Sequence, residues 1–167
     1  MRLSFEDVNL RLSRQYPLSC DKYIRKCEYL AESKPFWMFA KNNGSVTEEC
    51  YPFTSQEGEV EECSSQCKDG SEFQFYKFSQ FIAPIDETGI KNMIKSFGPP
   101  AASFEVYEDF LNYKSGIYEH TSGALVGYHF VNIVGYGIEN DIEFWICQNS
   151  WGEDWGEQGY FRIARGK

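Results

Sequence analysis

The sequence has no long uninterrupted apolar run and no clustered basic stretch, and each absence narrows what the chain can be. Apolar runs last only a few residues, so no segment is predicted to span a bilayer. No charged stretch followed by an apolar core marks a secretory leader after Met1. Basic residues number 16 against 25 acidic ones, a formal net charge of -9. A nucleic-acid partner needs a basic face to neutralise phosphates, and none is present. The densest charge run, Glu57 to Glu62 with its four glutamates, is predicted to be a solvated loop.

Histidine is scarce, with only His120 and His129. Both lie far in sequence from the crowded cysteines, so the short-spaced ligand sets of a zinc site are absent and no metal or other cofactor is expected. Cysteines stand at 20, 27, 50, 63, 67 and 147, five of them within the first 67 residues. That crowding predicts a disulfide framework and an oxidising compartment.

What is present is enough apolar material for a packed interior: 42% of residues are hydrophobic and 17% aromatic. Phe36, Met38, Phe39 and Ala40 predict a helix within 30–43, closed by Asn42, Asn43 and Gly44, with Pro35 near its first turn. Residues 51–70 read as a surface loop and 73–83, alternating aromatic and polar, as a half-buried strand. Ile90, Met93, Ile94 and Phe97 share one face of a helix over 86–97, which Gly98-Pro99-Pro100 stops. Then come short β-rich segments at 101–107, 128–136, 144–148 and 159–163, separated by glycine-containing turns. The fold class is α+β: a helical first lobe over 1–85 and an antiparallel, barrel-like second lobe over 86–167.

His129 heads the apolar run that ends at Gly137, and Asn149 opens Asn149-Ser150-Trp151-Gly152-Glu153-Asp154-Trp155-Gly156, twenty residues downstream. Two strands of a hairpin bring such positions side by side. An asparagine oxygen on one ring nitrogen fixes the imidazole's tautomer and aims the other nitrogen at a partner, as the third member of a catalytic triad does. Trp151 would shield that bond from water, with Trp155 as a further support.

This string resembles the C-terminal lobe of papain-family cysteine peptidases. The stretch from Ser103-Phe104-Glu105-Val106-Tyr107 through Tyr113-Lys114-Ser115-Gly116-Ile117-Tyr118, with Gly159-Tyr160-Phe161-Arg162-Ile163, is most similar to the dipeptidyl peptidase I (cathepsin C) branch. Leu12-Ser13, Gln15, Ser19-Cys20 and Glu49-Cys50-Tyr51-Pro52 follow the family more loosely. The resemblance implies a papain-like two-lobe fold, hydrolysis of peptide or protein substrates, and a lysosomal, vacuolar or secreted setting. It makes His129 the catalytic base and Asn149 its orienting partner. It also implies disulfides Cys20–Cys63 and Cys50–Cys67, with Cys27 and Cys147 reduced.

Against the family pattern, no Gln...CysGlySerCysTrp stretch is present to supply nucleophile and oxyanion donor. Met1-Arg2-Leu3 resembles the end of the helix that would carry it. Tyr29 and Leu30 stand where the family's paired glycines line the substrate cleft, and Phe130 replaces the small residue after the histidine. The expectation is a peptidase fragment or inactive relative, completed by a second chain that supplies the central helix. The alternative is a non-catalytic scaffold that holds a peptide or protein in the cleft.

Overall fold

The computed structural model describes residues 2–5, 8–23, 34–77 and 82–166. The chain divides into two compact units, Met1–Ile82 and Ala83–Lys167.

The first unit opens on an antiparallel hairpin of β1 (Arg2–Phe5) and β2 (Val8–Arg11), in register from Arg2 opposite Arg11 to Phe5 opposite Val8. Arg2 and Leu3 therefore belong to a strand and do not end a helix, a correction to the sequence reading. Leu3 and Phe5 alternate with polar residues, the period of a strand. Helices α1 (Gln15–Cys20) and α2 (Lys34–Asn42) follow. Pro35 sits in the first turn of α2, where a missing N–H costs nothing. The part of the expected helix before Lys34 lies outside the described residues.

Tyr16, Phe39, Val46 and Tyr51 form the unit's core. Beneath them Gln15 is fully buried and fully bonded. Its Nε2 donates to Ser19 and Ser55 Oγ at 3.0 and 2.8 Å, and its Oε1 accepts from the Thr54 and Ser55 amides at 3.0 and 3.2 Å. Disulfides Cys20–Cys63 and Cys50–Cys67 tie α1 and the 47–50 turn to the long loop. Residues 73–77 are not a regular strand: only Tyr76 bridges Ser45. Their aromatic alternation has another cause, since Phe73 and Phe75 both turn their rings to Tyr16, at 5.5 and 5.7 Å.

The second unit begins with α3 (Glu87–Ser96), capped by the Asp86 carboxylate, which accepts from the Gly89 amide at 2.7 Å. A five-stranded sheet follows, built from β3 (Ala101–Tyr107), β4 (Ile117–Tyr118), β5 (Leu125–Glu139), β6 (Ile142–Gln148) and β7 (Tyr160–Ala164) in the order β3-β5-β6-β7-β4. All pairs are antiparallel except β4 with β7. Helix α4 (Glu108–Leu111) follows β3 and drives Phe110, fully buried, into the sheet face formed by Val106, Val131, Ile133, Trp145, Cys147 and Phe161. No helix among the described residues is long and apolar enough to cross a membrane.

Candidate active site

His129 stands on β5 opposite Phe104 of β3, on the face that continues through Val131 and Ile133 into the core. Alternation along β5 puts it at the core's rim, half-buried. Asn149 follows the last residue of β6, its amide held by the Gly159 carbonyl at 2.9 Å. Because β5 and β6 pair, with Asn132 opposite Gln148, the imidazole and the carboxamide meet: His129 Nε2 lies 2.8 Å from Asn149 Oδ1. The Ser150 amide also donates to that oxygen, at 2.8 Å. An atom receiving a backbone N–H must be the carbonyl oxygen, so the neutral imidazole carries its proton on Nε2. Nδ1 is left with a free lone pair, the form a general base requires.

The Trp151 indole stacks on the imidazole, centroids 5.1 Å apart, and Trp155 meets Trp151 edge-on at 5.0 Å. Both tryptophans rest on Phe110, at 5.7 and 5.2 Å, which joins the site to the core through one ring. The loop that carries them turns at Gly156, φ +59°, where a Cβ would come within 2.6 Å of the Tyr160 carbonyl. Asn149 Nδ2 is buried without a hydrogen-bond partner among the described residues.

Phe130, the next residue on β5, faces the other side of the sheet. With Ala101, Asn132, Gln148 and Ser150 it lines a small cleft of about 150 Å³. Tyr29, Leu30 and Cys27 lie outside the described residues. Cys147, two residues before Asn149, is a free thiol only 3% exposed. Burial pushes its pKa up to about 12, the opposite of what a nucleophile needs. Among the described residues no group of His, Cys, Asp and Glu could hold a metal ion.

One polar centre of this unit has no sequence signal. Asp109, in the first turn of α4, accepts from Tyr118 Oη at 2.7 Å, from the Thr121 and Ser122 amides at 2.8 and 3.1 Å, and from the Thr121 hydroxyl at 3.3 Å. His120 Nδ1 stands 3.2 Å away, its ring stacked on Tyr107. Desolvation opposes ionisation of Asp109, but these hydrogen bonds outweigh it and hold the carboxyl well below its usual range. Asp109 thereby pins the segment that leads into β5. The residues come together only through the chain reversal between α4 and β5, so no local spacing announces them.

An imidazole fixed by a carboxamide and stacked against an indole has the orientation that a general base needs. Among the described residues no thiol or hydroxyl stands bonded to its free nitrogen. The chain belongs to the papain family of cysteine proteases, whose family model matches residues 2–167. It is 40% identical over 162 residues to Cathepsin B-like CP3 of Giardia intestinalis, covering 93% of this chain and 53% of that one. It is 47% identical over 109 residues to Cathepsin B-like cysteine proteinase 2 of Haemonchus contortus, covering 62% and 32%. The solved structure of proCathepsin B S9 from Trypanosoma congolense superposes with a TM-score of 0.84 at 31% identity, over 95% of this chain and 56% of that one. The α+β fold is therefore papain-like. The chain spans about half the length of the curated relatives it matches. These relatives are named cathepsin B-like, and the narrower likeness to the cathepsin C branch finds no support in them.

Proposed function

We propose that His129 and Asn149 are the general base and its orienting group in a papain-like cysteine peptidase that hydrolyses peptide bonds of peptide or protein substrates. The 2.8 Å bond between His129 Nε2 and Asn149 Oδ1 carries this reading. With Nε2–H held by Asn149, Nδ1 takes the proton of a thiol placed beside it, and the thiolate attacks the scissile carbonyl. The imidazolium then protonates the departing amine. In the second half the same nitrogen accepts a proton from water as it attacks the thioester, which releases the acid and frees the thiol. Trp151 and Trp155 keep bulk water from the His129–Asn149 bond.

The thiol comes from outside these 167 residues. Cys20, Cys50, Cys63 and Cys67 are consumed in disulfides and Cys147 is buried, while Cys27 matches a structural cysteine of the family by resemblance. The chain alone is therefore inactive, and a segment or second chain bearing the nucleophile completes it. The cathepsin B-like names of its relatives favour that branch over cathepsin C. Two disulfides favour a lysosomal, vacuolar or secreted setting.

The test assays fluorogenic peptides with the 167-residue chain, alone and with a separately expressed N-terminal segment of a related peptidase. The expected result is hydrolysis only in the pair, abolished by His129→Ala. Pair activity that survives His129→Ala would overturn the assignment, as would activity of the chain alone.

Phe130 favours a second reading, a peptide-holding scaffold without catalysis. Its phenyl ring narrows the small cleft on the opposite face of the sheet, where the family pattern has a small residue, and Tyr29 and Leu30 add bulk by the sequence pattern. If the pair binds peptides tightly but cleaves none, even with Phe130→Ala, the scaffold reading holds.

A further inference from the structure

Helix α2 is followed by an exposed asparagine, Asn43, whose setting suits covalent modification. Its last turn closes with the Asn43 amide bonded to the Phe39 carbonyl at 2.8 Å, and the chain then reverses through Gly44 at φ +87°. A side chain could replace the Gly44 hydrogen only by strain and by crowding Lys77 and the Tyr76 carbonyl at 2.9 and 3.0 Å, so the turn is fixed. Asn43 is exposed at this turn. The sequence around it is Asn43-Gly44-Ser45, asparagine and serine separated by one residue other than proline. None of the chain's other asparagines, at 9, 42, 92, 112, 132, 140 and 149, has serine or threonine two positions on. Asparagine, any residue but proline, and serine or threonine is the acceptor sequence for N-linked glycosylation. Ser45 is buried in the folded unit, so modification of the extending chain would precede that burial.

We infer that Asn43 is an N-glycosylation site, modified as the chain enters the secretory pathway. This rests on the proposed oxidising compartment, which the disulfides of the same unit support. The donor is a lipid-linked oligosaccharide diphosphate. A bond forms between Asn43 Nδ2 and the anomeric carbon of the first sugar as that carbon's bond to the diphosphate oxygen breaks. The amide gives up one proton, and the lipid diphosphate leaves with the electron pair. In the folded unit the sugar projects into solvent from the end of α2, where it displaces no packed group. It stands on the rim of an apolar cleft of about 590 Å³ lined by Pro35, Met38 and Phe39.

The test expresses the full chain behind a secretory leader in eukaryotic cells and maps its peptides by mass. The expected result is a single glycan on the peptide containing Asn43. Peptide-N-glycosidase removes it and, in heavy-oxygen water, leaves a labelled aspartate at that position, which distinguishes it from spontaneous deamidation at Asn43-Gly44. Asn43→Gln abolishes the modification, and so does Ser45→Ala, whereas Ser45→Thr retains it. Since Ser45 is buried, the surface variant Asn43→Gln keeps the test independent of folding. A leader-cleaved chain with Cys20–Cys63 and Cys50–Cys67 formed but Asn43 unmodified overturns the inference. The same mapping on protein from its own cells separates this from a failure of the compartment reading: reduced cysteines there refute the compartment, and intact disulfides with bare Asn43 refute only the glycan.

Discussion

The Trp151 indole lies over the His129 imidazole with the two planes 26° from parallel, so the ring that shields the His129–Asn149 bond also fixes the imidazole's tilt. Trp151 itself remains 39% exposed, a lid with one face in solvent. Removing it opens the bond to water. In the folded chain the Nε2 proton of His129 is expected to give a resolved, slowly exchanging NMR signal, lost in both Trp151→Ala and Asn149→Ala. In the reconstituted pair, Trp151→Ala is expected to lower kcat about tenfold, equivalent to about 1.4 kcal/mol, with KM changed little. An unchanged Nε2 signal in Asn149→Ala would refute the geometry.

Cys147 is expected to resist alkylation in the native state. A thiol with a pKa of about 12 is ionised in roughly one molecule in ten thousand at pH 8. Mass mapping after brief iodoacetamide treatment should find Cys147 unmodified without denaturant and modified with it. Cys147→Ser should leave pair activity intact while destabilising the second unit by about 1–3 kcal/mol, because it buries a hydroxyl among apolar neighbours. Loss of activity without loss of stability would make Cys147 part of the chemistry.

Phe110→Ala is expected to cost about 3–5 kcal/mol. The ring is fully buried and contacts Phe104, Tyr118 and Phe161 at 5.0, 4.9 and 4.9 Å, as well as both site tryptophans. Chemical denaturation followed by tryptophan fluorescence should show the loss. The His129 Nε2 signal should weaken with it, since the support under Trp151 is gone.

The Asp109 cluster gives an acid-side prediction. Its carboxyl is held below its ordinary value, so its contribution to folding is complete above about pH 3.9 and is lost as pH falls toward the lowered folded value. The Thr121 and Ser122 amide shifts should therefore titrate together with a midpoint below about 3.9. Asp109→Asn should abolish that titration and lower Tm at neutral pH. A midpoint at or above the ordinary value would mean that the cluster does not favour the charged form.

The sequence was most legible where one physical pattern had one meaning. Ala101–Tyr107 alternates and is a strand to the residue, and α3 is bounded by the Asp86 cap and Gly98-Pro99 that its sequence announces. β5 is longer than its apolar run because the exposed Leu125 and Val126 still pair with β3 or extend its edge, and an irregularity between Ile133 and Gly135 lets the strand continue. The failure at 73–77 is instructive. Period-two aromatics there serve ring contacts with Tyr16 rather than a ladder, and periodicity alone does not separate the two. The proximity of His129 to Asn149 followed from hairpin pairing. The Asp109 centre did not, because its partners share no element.

β5, which bears His129, and β6, which leads into Asn149, are joined by Asn140 and Asp141, both at positive φ of 51° and 62°, as a tight hairpin turn requires. The imidazole–carboxamide pair is thus assembled across a separation of only twenty residues. Closing so short a loop costs little entropy and hairpins form within about 1–10 μs, so this contact belongs to the early events of folding rather than to final docking. The imidazole acquires its orientation from its own sequence neighbourhood; under the proposed function, a nucleophile supplied by another segment would meet a base already aimed.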